Sequence, residues 1–162
     1  MNLRNALSSD LPAVLDLNER ALPHVNSITL EDMAWYLEKA PYFKLIESLE
    51  KQISGFLIAL EPGLDYGSDN YRWFSSNYDC FFYVDRVVIG ETARGQGLGG
   101  KLYRDVIKVA QKMAPRLTCE VNSRPPNPDS MAFHNRFGFK PVGIQETEGG
   151  KKEVTLMSLE FG

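Results

Sequence analysis

The chain has 162 residues, 43% of them apolar and 24% charged, with a formal net charge of −3 at pH 7. Those proportions belong to a soluble globular protein with a sizeable core in one domain, residues 1–162, and set aside disordered and fibrous classes. The acidic balance and the lack of a long basic run argue against a nucleic-acid partner, and no apolar stretch approaches a membrane span.

Residues 3–7 read as a short strand. Ser8-Ser9-Asp10 then offers an N-cap, with Pro12 in the first turn, where its missing N–H costs nothing. Leu11, Val14, Leu15, Asn18 and Leu22 fall at helical spacing up to Pro23. After a loop, Thr29 caps a second helix to about Ala40, with Leu30, Met33, Ala34 and Leu37 as its buried stripe. Residues 43–49 and 53–60 form an antiparallel hairpin. Residues 63–79 read as a long connection carrying Tyr66, Tyr71, Trp73, Phe74 and Tyr78. Connections of that length are often functional; these aromatics either line a substrate mouth or fold back as a lid or a homodimer contact.

The apolar, β-branched run 81–89 is the next strand, and Gly95, Gly97, Gly99 and Gly100 follow it. A helix then carries Leu98, Leu102, Val106, Val109 and Met113 opposite Lys101, Asp105, Lys108 and Lys112, and Pro115 stops it. Residues 117–121 are a strand. Asn127-Pro128 opens a helix that ends at Gly138, and strands at about 142–147 and 153–161 close the chain around Glu148-Gly149-Gly150-Lys151. The order is α+β, with one strand–helix–strand crossover. Cys80 and Cys119 have no CxxC partner and no metal-type spacing accompanies them, so no metal is expected and a reducing, cytoplasmic setting is.

A strand, a glycine-rich bend and a helix make an anion site, because bare N–H groups and the dipole's positive end face outward there. Two ligands compete for it. Gly95-x-Gly97-x-x-Gly100 satisfies the dinucleotide pattern, with Glu120 twenty residues later. Against NAD, Gly90-Glu-Thr-Ala-Arg94 separates strand from turn, and the chain is short for two nucleotide-binding halves.

Arg94-x-x-Gly97-x-Gly99, together with Asn127-Pro-Asp-Ser130-Met-Ala-Phe-His134-Asn-Arg-Phe-Gly138-Phe139, resembles the two signature segments of the GNAT N-acetyltransferase superfamily. The resemblance implies a mixed α/β fold: a mostly antiparallel six- to seven-stranded sheet, about four helices and a β-α-β cofactor crossover. It implies acetyl-CoA as cofactor. Backbone groups of Val87, Val88 and Ile89 would pair with the pantetheine arm, and Asn127 and Ser130 would lie beside it. Gly95, Gln96, Gly97, Leu98, Gly99 and Gly100 would hold the pyrophosphate, with Arg94, Lys101 and Arg104 as added positive charge or plain surface.

Acyl transfer to an amine needs a proton acceptor, because an ammonium of pKa about 10.4 is protonated at neutral pH. Glu120 is the first base candidate, since alternation sets Thr118, Glu120 and Asn122 opposite Leu117, Cys119 and Val121. Asp85 is the second; either carboxylate could instead serve a salt bridge. Cys119 reads as core, so transfer would be direct, through a tetrahedral intermediate. His134 stands where the family usually has a tyrosine acid, and histidine's pKa near 6.5 leaves acid, base and packing roles open. Asn18, Glu19, His24, Asn26 and Trp73 are candidates for the acceptor, with a small or amino-acid-like amine expected. A peptide amine and a non-catalytic acyl-CoA-binding module remain alternatives.

Overall fold

Runs rich in β-branched and aromatic residues become strands here, and runs with apolar residues three to four apart become helices. The computed structural model describes residues 1–162. In chain order they form β1 (Asn2–Asn5), α1 (Leu11–Arg20), α2 (Leu30–Lys39), β2 (Tyr42–Glu47), β3 (Ile53–Leu60), α3 (Asp69–Asn77) and β4 (Phe82–Ile89). These are followed by α4 (Leu98–Met113), β5 (Arg116–Arg124), α5 (Pro128–Arg136), β6 (Lys140–Thr147) and β7 (Lys152–Glu160). The seven strands form one sheet in the order β1-β2-β3-β4-β5-β7-β6. The β1–β2, β2–β3, β5–β7 and β6–β7 pairs are antiparallel. The β4–β5 pair is parallel, with a register of Phe82 to Leu117 and Tyr83 to Thr118. The mixed α/β fold expected from the sequence is therefore present, with five helices instead of about four.

Two compact units divide the chain: Met1–Leu60 with Val84–Val109, and Glu61–Tyr83 with Ala110–Gly162. In the first, Asp10 does not cap α1 with its side chain. Its carboxylate accepts the Leu7 N–H at 2.8 Å and pairs with Arg4 at 2.8 Å. Helix α2 begins as expected, with reciprocal bonds between Thr29 and Asp32. Its buried face differs from the expected stripe. Met33 and Tyr36 are buried, whereas Leu30 is half exposed and Ala34 is exposed. Tyr36 can face inward because its hydroxyl finds a partner there, the Arg86 guanidinium at 3.3 Å. In α4 the buried stripe is Leu98, Leu102, Tyr103 and Val106, and Asp105 on its flank accepts from Tyr42 and Lys44.

In the second unit, the expected connection 63–79 contains α3. Ser68 caps it, accepting the Tyr71 N–H at 3.2 Å. Tyr71 and Phe74, three residues apart, are buried, their rings 5.6 Å from Tyr83 and 6.1 Å from Phe81 respectively. The Gly, Ser, Asp and Asn of this stretch concealed a short amphipathic helix of nine residues. Trp73 packs against β6: a Cβ on Gly143 would stand 2.5 Å from its ring. Helix α5 starts as the sequence predicts, Asn127 accepting the Ser130 N–H at 3.3 Å, and stops at Gly138, whose φ of 95° suits glycine. No helix is long and apolar enough to cross a membrane, and no group of three or more His, Cys, Asp or Glu could hold a metal ion.

Candidate active site

In the first unit, β3 and β4 meet closely at the end that feeds the glycine turn. A Cβ on Gly55 would stand 2.8 Å from the Val88 carbonyl, and the Gly90 N–H donates to Ser54 at 2.8 Å. Val88 is buried, and Val87 and Ile89 are half-buried beside it. One 3-10 turn, Glu91–Ala93, occupies the gap that separated strand from glycines. Arg94, Gly95, Gln96 and Gly97 are exposed. Gly95 and Gly97 have φ of 79° and 74°, and nothing lies within 4 Å of where a Cβ would point. Positive φ makes glycine the fitting residue at both, and the open space leaves the backbone approachable. Leu98 is buried and anchors α4, whose first turn contains Gly99 and Gly100. The Arg104 guanidinium lies across that turn, 3.1 Å from where a Gly100 Cβ would be, and the Lys101 ammonium donates to the Met1 carbonyl. A cationic turn with bare N–H groups fits a pyrophosphate.

The same unit contains a buried knot around Arg86. Its Nε lies 2.8 Å from Asp85, and both side chains are only 3% exposed. Its Nη atoms donate to Asn18 (2.9 Å), the Asn26 side chain (2.7 Å) and Tyr36. Asn18 donates to Glu19 and to the Asn26 carbonyl. Glu19 accepts from the Ser27 hydroxyl and the Ile28 N–H, and the Ser27 bond chiefly holds its pKa below the usual carboxylate value. Asn18, Glu19 and Asn26 thus lace the loop between α1 and α2, while His24 is exposed on it. The signal for this knot was an arginine within the apolar run of β4. A buried guanidinium must find several acceptors.

The second unit brings Glu120 together with groups the sequence reading did not name. Tyr83 donates its hydroxyl to both Glu120 oxygens at 2.8 Å, and Asn70 on α3 donates to Oε1 at 3.2 Å. Gln145 on β6 donates to the Asn70 side-chain oxygen, Oδ1, at 3.0 Å. Glu120 is half-buried, and its strand neighbour Cys119 is buried. Desolvation, and then the Glu120 charge, push the Cys119 thiol well up, which keeps it protonated. Beside Gln145 an open cleft of about 340 Å³ is lined by Asp69, Arg72, Trp73, Ser76, Gln145 and Glu146.

On α5, His134 is 3% exposed, edge-on to Phe133 and Phe139, each 5.3 Å away. Its Nδ1 lies 2.7 Å from the Ser130 carbonyl, which can only accept, so Nδ1 carries the proton. Burial pushes its pKa below 6.5, and the Ser130 bond opposes this more weakly. A neutral ring protonated at Nδ1 leaves Nε2 as an acceptor. Asn127 and Ser130 are neighbours through the cap, and Ser130 and His134 through this bond.

Among curated proteins, the chain is 28% identical over 141 residues to YjbC of Bacillus subtilis, named as a candidate acetyltransferase; the match covers 80% of this chain and 70% of that one. It is 32% identical over 79 residues, about half of each chain, to the peptidyl-lysine N-acetyltransferase YjaB of Escherichia coli. Among solved structures, a phosphinothricin acetyltransferase of Sinorhizobium meliloti in complex with AcCoA superposes with a TM-score of 0.75 at 17% identity. That match covers 99% of this chain and 88% of the other and bears on the fold alone. The model of the acetyltransferase (GNAT) family matches residues 11–139. The chain belongs to that family of acyl-CoA-dependent N-acetyltransferases.

Proposed function

We propose that the protein moves an acetyl group from acetyl-CoA to the primary amine of a small, amino-acid-like acceptor, by direct attack without an acyl-enzyme. Glu120 carries this reading: a half-buried carboxylate that accepts from the Tyr83 hydroxyl and the Asn70 amide, which Gln145 links to an open cleft. Acetyl-CoA supplies the activated thioester. In the first unit, residues 94–100 hold the pyrophosphate on bare N–H groups and β4 offers Val87, Val88 and Ile89 backbone to the pantetheine arm. In the second, Asn127 and Ser130 line the arm, and Glu120 takes the ammonium proton, directly or through water. The amine then attacks the acyl carbon, the C–S bond breaks, and the second amine proton leaves with the thiolate. Buried and neutral, His134 acts at Nε2 as an acceptor rather than as the acid that a tyrosine would be.

Asp85, 2.8 Å from the Arg86 guanidinium, remains the second base candidate. Trp73 in the cleft, with His24 and Asn26 on the α1–α2 loop, contributes to acceptor recognition. The family match runs across both compact units, which supports one functional domain. A peptide lysine as acceptor is the second reading, favoured by the YjaB match. Free-thiol release from acetyl-CoA across amino acids, polyamines and lysine peptides tests both. Turnover on small amines is expected; turnover on peptides alone overturns the acceptor class. Acetyl-CoA binding without thiol release on any amine would make the protein a binding module.

A further inference from the structure

The hydrogen bonds that reach Glu120 have a sense, and the amide in the middle carries it. A primary amide has one accepting and one donating end. Gln145 Nε2 occupies the accepting end of Asn70, at 3.0 Å, so the donating end faces Glu120, at 3.2 Å. Helix α3 supplies Asn70 one residue into its first turn, with Tyr71 and Phe74 as its buried anchors. Three elements supply groups to the carboxylate. Tyr83 reaches it from β4, Asn70 from α3 and Gln145, one bond further out, from β6. The charged neighbours on α3 and β6 are paired in exposed positions, Asp69 with Arg72 and Glu146 with Arg124, and on β4 Asp85 and Arg86 form a buried pair. The cross-strand residue on β7 is Leu156, and Cys119 on its own strand is a buried thiol.

We propose that Asn70, set by Gln145, is a positioning residue for the reaction: it aims the Glu120 carboxylate and keeps it ionised for the acceptor's proton. The inference rests on Glu120 as the base. Hydrogen bonds donated to a carboxylate favour its charged form, and an acceptor or like charge in their place favours the protonated one. Reversing the amide should therefore raise the pH at which Glu120 protonates, without touching the carboxylate itself.

Gln145→Glu removes the donor that orients Asn70, so the amide turns over and presents its oxygen to Glu120. Asn70→Asp places a like charge there directly. The expected result is an acid limb of kcat/KM that moves up by about one pH unit in Asn70→Asp. Gln145→Glu should move it the same way by less, and Gln145→Leu, which has no preference for either amide orientation, by less still. Affinity for acetyl-CoA should stay unchanged throughout. In a Glu120→Gln background neither Asn70→Asp nor Gln145→Glu should lower the rate further. A 13C titration of labelled glutamate carboxyls, with Glu120 assigned by its loss in Glu120→Gln, reads the group itself. An unmoved Glu120 titration in both Asn70→Asp and Gln145→Glu overturns the inference. Near-normal kcat in Glu120→Gln overturns instead the base on which it rests, and the carboxyl titration still decides the relay.

Discussion

Asp85 and Glu120 are carboxylates on the two strands of the parallel pair, and they are held in opposite ways. Asp85 lies 2.8 Å from a guanidinium, with both side chains 3% exposed. Glu120 is half-buried and takes its described hydrogen bonds from a phenol and an amide, neither of which cancels its charge. An ion pair fixes a carboxylate as structure, because moving its proton strands the partner's charge in a poor dielectric. Neutral dipoles fix direction and leave the charge available for chemistry. Position on a central strand therefore says little about function, whereas the partner's charge says much.

Breaking the Asp85 pair should give the largest effect. Asp85→Asn leaves the buried Arg86 without its counter-charge and should destabilise the fold by about 3–5 kcal/mol in urea unfolding. A stability loss within 1 kcal/mol, about what exposed pairs contribute, would erase the distinction from the Asp85 side. Glu120→Gln should behave conversely, lowering kcat about 100-fold or more while the folded protein keeps its acetyl-CoA affinity. Next in size is Gly143→Ala. Its methyl group would meet the Trp73 ring, so about 1–3 kcal/mol of overpacking is expected, with altered tryptophan fluorescence in a Trp35→Phe background. Gly97→Ala should cost about 1–2 kcal/mol for its positive φ, and weaken acetyl-CoA binding in calorimetry more than it slows a saturated enzyme.

The smallest effect concerns His134, whose folded pKa is depressed by burial. The unfolded chain then binds the proton more readily, so stability is full above the ordinary pKa of about 6.5 and falls as pH drops below it. His134→Phe should flatten that part of the stability curve in thermal scans. If Nε2 serves the reaction as an acceptor, the same substitution lowers kcat, and the acid limb of the wild-type rate that it removes lies below pH 6.5.

Much of this molecule could be read along the chain. The Thr29 and Asn127 caps, the glycine turn and the strand that feeds it depend on near neighbours, whose spacing is explicit in the residues. Errors arose where a residue's role depends on distant partners. Asp10 looked like a cap and is an ion-pair partner of Arg4. Asn18 and Glu19 read as candidates for the acceptor, and nothing near them in the chain showed their bonds to Arg86 and to the Ile28 N–H. Residues 63–79 looked like a loop because small polar residues outnumber the two buried rings that make α3 a helix.

From its own residues, the sequence determined the family and marked the glycine turn and Glu120 for attention. Periodicity, glycine spacing and capping act over a few residues and survive any tertiary arrangement. Only the folded chain decided which carboxylate meets a guanidinium and which meets a phenol and an amide. Arg86 meets Asn18 and Asn26 across some sixty residues, and Gln145 meets Asn70 across 75. Contacts of that separation have no signature in local pattern, because loop closure and packing create them.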